Sequence, residues 1–381
     1  MDKIKLSEIA TIIMGQSPNS DTYNENGEGI PFFQGKSDFG KVNPSVRMYC
    51  NNPIKIAEKY DILMSVRAPV GDVNIADRIC CIGRGLCAIR ITKNNNYKYI
   101  YYYLTTVKKE LDLLSTGSTF KSINKSILKN IDVKISNLKV QTKIVEVLDQ
   151  AQSLIDKRKA QIEALDELVK SRFIEMFGNL NTNTNNFEIV NLETLTDKIT
   201  DGVHSKPEYT SEGVPFISVK DINSGKLKFE NCKYISEEAH NGYVKRCRPE
   251  KGDILYTKVG ATYGIPAIVD TDEEFSLYVS VALLKLKKEI VNPIYIKEAM
   301  RSIDVKRQAD RQVKGIGVPD LHLVEIKKFK VFNPPIELQN QFANFVNQVD
   351  KLKFEMEKSL KELEDNFNSL MQRAFNGELF N

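Results

Sequence analysis

Residues 145–178 read VEVLDQAQSLIDKRKAQIEALDELVKSRFIEMFG, and within them Leu148, Ile155, Ile162, Val169 and Met176 recur every seven residues. A heptad sustained this long predicts a long helix packed as a coiled coil, not an isolated surface helix. A second stretch has the same habit, with Phe342, Val349, Met356, Leu363 and Leu370 at the same spacing. Companion apolar residues sit three positions on: Ala151 and Leu165 in the first stretch, Phe345 and Leu352 in the second. Arg158, Arg172, Ser359 and Arg373 interrupt that second seam, so the coil is imperfect and leaves room for another partner. Gly178 and Gly377 stand where a left-handed C-cap would end each helix.

What precedes each helix is also duplicated. Gly29-Ile30-Pro31-Phe32-Phe33 with Lys36 matches Gly213-Val214-Pro215-Phe216-Ile217 with Lys220. Asp61-Ile62-Leu63 with Arg67 matches Asp253-Ile254-Leu255 with Lys258, and Gly71 and Gly264 follow. Ile123, Leu128 and Ile131 match Val318, Leu323 and Ile326, and the hinge Asn137–Gln141 matches Pro335–Gln339. Five matches in one order argue for duplication, with loops varying between the copies. Each copy opens with short β-type runs (Ile30–Phe33, Ile62–Val66, Val214–Val219, Tyr278–Leu286) and helical patches such as Ile100–Leu114, broken by Gly, Pro and Asn. The expected class is α+β: mixed α/β domains over 1–138 and 187–335, each followed by a long helix, over 139–178 and 336–381. An Asn-rich linker, NLNTNTNN, spans 179–186.

Two helices of about 37 residues would each be about 55 Å long at a rise of about 1.5 Å per residue. The short linker favours antiparallel pairing, which makes a caliper with two related heads. The object that suits a caliper is a DNA duplex with two half-sites at fixed spacing.

Composition narrows the classes further. The 41% apolar and 27% charged residues, with 20 Gly and 13 Pro, exclude collagen-like and low-complexity chains. No run reaches the about 18 apolar residues of a membrane span. The opening MDKIKLSEIA lacks a signal-peptide apolar core, so a cytoplasmic protein without membrane contact is expected. Six Cys without a C-x-x-C pair read as reduced, buried thiols. The net charge of +4 hides its distribution. Residues 1–140 carry 20 basic and 13 acidic side chains, residues 179–338 carry 23 of each, and the two helices are mildly acidic. Acidic helices suit a protein partner better than phosphates.

The tandem copies, the Leu6-Ser7-Glu8-Ile9-Ala10 start, the Gly-Ile-Pro-Phe and Asp-Ile-Leu strings and the hinge-plus-helix resemble the specificity subunit of type I restriction-modification systems over nearly the whole chain. Pro334-Pro335-Ile336-Glu337-Leu338-Gln339 keeps most of that family's hinge, whereas Asn137–Gln141 keeps only its frame. The resemblance implies two target-recognition domains that each read half of a bipartite double-stranded DNA site, with the helices setting the gap. It also implies two methylation subunits, which use S-adenosylmethionine, and an ATP-driven restriction subunit as partners. The subunit itself would hold no cofactor, no metal and no catalytic residue.

The missing motifs agree with that. Asn333-Pro334-Pro335-Ile336 has Ile where adenine methyltransferases need an aromatic residue to stack on a flipped base. Gly35-Lys36-Ser37 lacks the earlier Gly of a P-loop, and Gly315-Ile316-Gly317 is followed by Asp320 instead of a third Gly. His204, His240 and His322 have no metal-ligand spacing. Two rivals are a self-contained methyltransferase or nuclease, and a structural coiled-coil adaptor without a nucleic-acid role.

Base readout needs side chains on exposed loops, with cations and small polar groups on phosphates. In the first head the candidates are Gln16, Ser17, Lys36, Arg67, Arg84, Ser118, Thr119 and Lys121. In the second they are His204, Lys206, Lys220, Lys258, Tyr263, Arg311 and Lys314. Arg67 and Lys258 lead, since each follows a buried-looking strand and precedes a Gly turn. The tail from Ala374 to Phe380 is expected to contact a methylation subunit.

Overall fold

A computed structural model describes residues 2–92, 94–115, 121–315 and 317–380. The chain forms two compact units, one of residues 1–159 with 358–381 and one of residues 160–357. Each unit therefore draws helical residues from both long helices, Leu138–Phe177 and Ile336–Asn376.

In the first unit a four-stranded antiparallel sheet runs in the order Ala10–Met14, Leu86–Ile91, Ile62–Ser65, Val73–Ile75. Beside it Ile30–Phe33 pairs in parallel with Cys80–Ile82 and antiparallel with Tyr49–Cys50. A two-stranded ribbon, Asp2–Lys5 with Asp132–Ile135, brings the start of the chain to the base of the central helix.

The second unit repeats this plan. Its four-stranded sheet runs Thr196–Asp201, Val281–Leu286, Ile254–Thr257, Pro266–Ile268. Val214–Ile217 pairs in parallel with Ser276–Leu277 and antiparallel with Lys233–Ile235, and Glu188–Asn191 with Lys330–Asn333 makes the ribbon. The predicted run Val214–Val219 stops as a strand at Ile217, because Ser218 and Asp221 cap a short helix, Val219–Ile222.

The recurring strings have structural causes. Buried Asp61 pairs with Arg90, and buried Asp253 with Lys285, at 2.9 Å in both units. Burial pushes the Asp253 carboxyl up despite the Lys285 ammonium beside it. The hinge glutamines are also buried. Gln141 accepts the Asn96 amide at 2.8 Å and donates to the Ser136 carbonyl, while Gln339 accepts the Asn292 amide at 2.9 Å and donates to the Pro334 carbonyl. Each ties the first turn of a long helix to the N-terminus of a head helix, Tyr97–Thr106 or Pro293–Arg301.

Within each unit the two helical segments run antiparallel. In the first, Lys159 meets Glu364 at 2.7 Å while Leu148 shares a core with Met371, Ala374 and Phe375. In the second, Asp166 meets Lys353 at 2.6 Å while Phe173 and Phe177 each lie 5.5 Å from the Phe342 ring. Leu148, Ile155, Val169, Phe342 and Val349 are buried, and Ile162, Met176, Met356, Leu363 and Leu370 half-buried. Gly178 and Gly377 take φ of 75° and 80°, the left-handed conformation that ends a helix.

The tail packs largely on its own unit. Ala374 and Phe375 are buried, and Phe375 stacks edge-on against Tyr99 and Tyr103. Leu379 packs against the same core, and Lys143 lies over the Phe380 ring. Ala374, Phe375 and Leu379 thus complete the first unit's own core, while Phe380 stays exposed.

Candidate nucleic-acid interface

In the first unit the strand Ile62–Ser65 delivers the chain to Arg67 through a fixed turn. The Ser65 hydroxyl donates to the Pro69 carbonyl and accepts the Asp72 amide, closing that turn. Arg67 bridges to Ser122, and the Ala68 amide donates to the Lys121 carbonyl. Arg84 is exposed between Gly83 and Gly85, where a Cβ on Gly85 would sit 2.3 Å from the Gln34 carbonyl oxygen. Only glycine allows that approach, and it leaves Arg84 pointing outward.

These loops meet. Arg67, Arg84, Lys121 and Lys125 line one concavity of about 830 Å³, floored by Met14 and Val66. No carboxylate is among its lining residues. Lys121 reaches Asp112 at 2.7 Å, while Arg67, Arg84 and Lys125 have no acidic partner within 4 Å among the described residues. Lys125 escaped the sequence reading. Its position just after Asn124, the cap of the short helix Lys125–Lys129, was the available signal.

Of the other nominated residues, Gln16 and Ser17 come next to Arg84. Gln16 is exposed, with its amide held by the Ile82 carbonyl. The Ser17 hydroxyl accepts the Arg84 amide at 3.3 Å. Lys36 is not among the lining residues and is bound to Asp72 at 2.8 Å, while Lys108 holds the other oxygen of that carboxyl. Burial works against the Asp72 charge, but the two lysines outweigh it and hold the carboxyl below its usual range. Ser118 and Thr119 lie outside the described residues.

The second unit places its leading candidate elsewhere. Lys258 is buried, with its ammonium 3.6 Å from Asp201 and 3.5 Å from Asp320. The cause is register. The Val66 amide donates to the Gly85 carbonyl and the Val66 carbonyl accepts from Ile123, while Lys258 makes the same two bonds with Ser280 and Leu321. Lys258 thus corresponds to Val66, and Val259, which bridges to Asp320, corresponds to Arg67. Side chains alternate faces along extended backbone, so one residue of slip turns an outward cation into an inward one. Counting five residues from Asp61 and from Asp253 reaches Val66 and Lys258, which would have exposed the slip.

Asp201 also meets the Arg246 guanidinium at 2.6 Å and the His204 ring at 3.2 Å. Lys220 donates to the Asn231 carbonyl. Tyr263 donates to Asp310 at 2.7 Å and lies under the Lys306 ammonium. Lys206, Arg311 and Lys314 are exposed.

Among the described residues no group of three or more His, Cys, Asp or Glu could hold a metal ion. No helix is long and apolar enough to cross a membrane. Burial pushes the Cys81 thiol up to about 11 and the Cys247 thiol up to about 12, so both stay neutral at ordinary pH.

This duplicated arrangement has relatives. The family described as the type I restriction modification DNA specificity domain matches residues 1–164 and 184–365. The chain belongs to that family, whose members are the recognition and not the catalytic component of their enzymes. A Methanocaldococcus jannaschii relative named for the MjaX type I restriction enzyme is 43% identical over 161 residues, spanning 42% of this chain and 38% of that relative. The EcoBI specificity subunit of Escherichia coli is 23% identical over 414 residues, 99% of this chain and 86% of that one. The crystal structure of a type I specificity subunit from M. genitalium shares the fold with a TM-score of 0.57 at 17% identity, covering 98% and 96% of the two chains.

Proposed function

We propose that this chain reads a bipartite double-stranded DNA site for a type I restriction-modification enzyme. Each unit contacts one half of the site, and the long helices set the gap and dock two methylation subunits, with a restriction subunit joining the assembly. The observation that carries this reading is the duplication. The two units share strand order, a buried acid–base pair and a hinge glutamine, and two equivalent heads suit two half-sites. In the first unit the cations around the concavity, with Gln16 and Ser17 nearby, supply phosphate and base contacts. In the second, His204, Lys206, Lys220, Tyr263, Arg311 and Lys314 are the contacts, and Lys258 holds Asp201 and Asp320 in place behind them.

The helices also carry exposed apolar side chains. Leu154 is exposed in the first unit, and Leu168, Ile174, Leu352 and Phe354 in the second. Such a surface on mildly acidic helices suits a protein partner. Inserting one heptad into the central helix is expected to widen the recognised gap while both half-sites stay the same. Methylation mapping of the assembled enzyme checks this, and an unchanged gap would falsify the ruler role.

A further inference from the structure

The four cations of the first unit's concavity can be traced position by position into the second. Arg67 corresponds to Val259, since each bridges to the equivalent residue, Ser122 or Asp320. Arg84 precedes Gly85 as Val279 precedes Ser280, and those two carbonyls accept the equivalent amides of Val66 and Lys258. The Lys121 carbonyl accepts from Ala68 at 3.1 Å as the Pro319 carbonyl accepts from Gly260 at 2.8 Å. Lys125 opens the short helix Lys125–Lys129 as Leu323 opens Leu323–Lys327, so Ile123 and Leu128 correspond to Leu321 and Ile326, three residues beyond the match read from the sequence. Every cation has an uncharged apolar counterpart on the same backbone.

We infer that the concavity around Arg67, Arg84, Lys121 and Lys125 is the chain's main seat for backbone phosphates, so the two heads hold DNA by different physics. The first contributes a strong, salt-sensitive grip on any duplex. The second contributes little to that grip and discriminates through short-range contacts. This deepens the DNA-reading role above and rests on it. Three features support it. No carboxylate lines the concavity and only Lys121 is paired, with Asp112, so most of its field is not cancelled locally. Three of its four cations have no acidic partner among the described residues. In the second unit Asp201 already draws Arg246, the His204 ring and Lys258 to within 3.6 Å of one carboxylate.

The test measures binding of the full chain, with its methylation partner, to a random-sequence duplex of about 40 base pairs, titrated with salt. Each phosphate neutralised adds about 0.9 to the slope of log affinity against log salt. The variant R67Q/R84Q/K121Q/K125Q should lower that slope by about 3, a change of roughly 60-fold in the affinity lost between 50 and 200 mM salt. The variant K206Q/K220Q/R311Q/K314Q should lower it by about 1 or less. R67K/R84K should leave the slope in place, because charge and not shape carries the effect. All substituted side chains are exposed, and unchanged melting curves confirm intact folds. Equal slope changes in the two quadruple variants, or none in the first, overturn the asymmetry while the DNA-reading role stands. If the unaltered complex retards no duplex at all, the DNA-reading role falls and takes this inference with it.

Discussion

The two units place the same backbone around different chemistry, and the clearest contrast is at Val66 and Lys258. Around Val66 the neighbouring strand ends in Met14 and the facing bridge is made by Ser122; around Lys258 the same places hold Asp201 and Asp320. An apolar residue among uncharged neighbours has become a lysine between two acids. Either set satisfies burial, since a buried ammonium is tolerated only beside compensating charge. The scaffold is therefore specified by its hydrogen bonds, and the charge pattern is free to change as a group. The basic excess of the first 140 residues is carried on a shared frame, which is why a neutral second head still folds the same way.

That contrast can be broken directly. Val66→Lys should bury an ammonium with no acid beside it and destabilise the first unit by about 3–5 kcal/mol. Adding Met14→Asp and Ser122→Asp should recover most of the loss. Chemical denaturation measures both, and an unrescued triple variant would show that the second unit's acids do not compensate Lys258. A smaller effect tests what the units share. Gln141→Leu and Gln339→Leu each orphan a half-buried amide and a carbonyl, at a cost of about 1–3 kcal/mol per unsatisfied group. The two losses should be alike; a loss confined to one unit would mean that the hinge bonds are not equivalent.

The smallest effect concerns pH. Asp72 is held below its usual 3.8 in the folded chain, so its contribution is present above the unfolded value and lost as pH falls through the folded one. Asp72→Asn should flatten the acid limb of the first unit's melting temperature below about pH 4. Asp253 works in the opposite sense. Burial raises its carboxyl, so acid costs the second unit less at that position than it costs the first at Asp72. Parallel acid limbs in the wild-type units, followed by separate probes, would contradict this difference.

Much of the frame was legible in the residues. Heptads, C-cap glycines and repeated strings follow from local rules of period 3.5, positive φ and burial, so Leu148 through Leu370 and Gly178 and Gly377 could be placed without coordinates. The interface was only half legible. Arg67, Arg84 and Lys121 were each nominated singly, from loops far apart in the chain, and nothing in their spacing showed that they line one wall with Lys125. The packing of Phe375 was not legible, because Tyr99 and Tyr103 lie more than 270 residues earlier in the chain.

By itself the sequence determined that the chain is two copies of a mixed head followed by a long coiled helix, because hydrophobic period and turn chemistry act over a few neighbouring residues. The tertiary structure decided which side chains face outward. Lys258 and Arg67 look alike as cations after a strand, and one backbone register, set by hydrogen bonds to distant carbonyls at Ser280 and Gly85, buries the first and exposes the second.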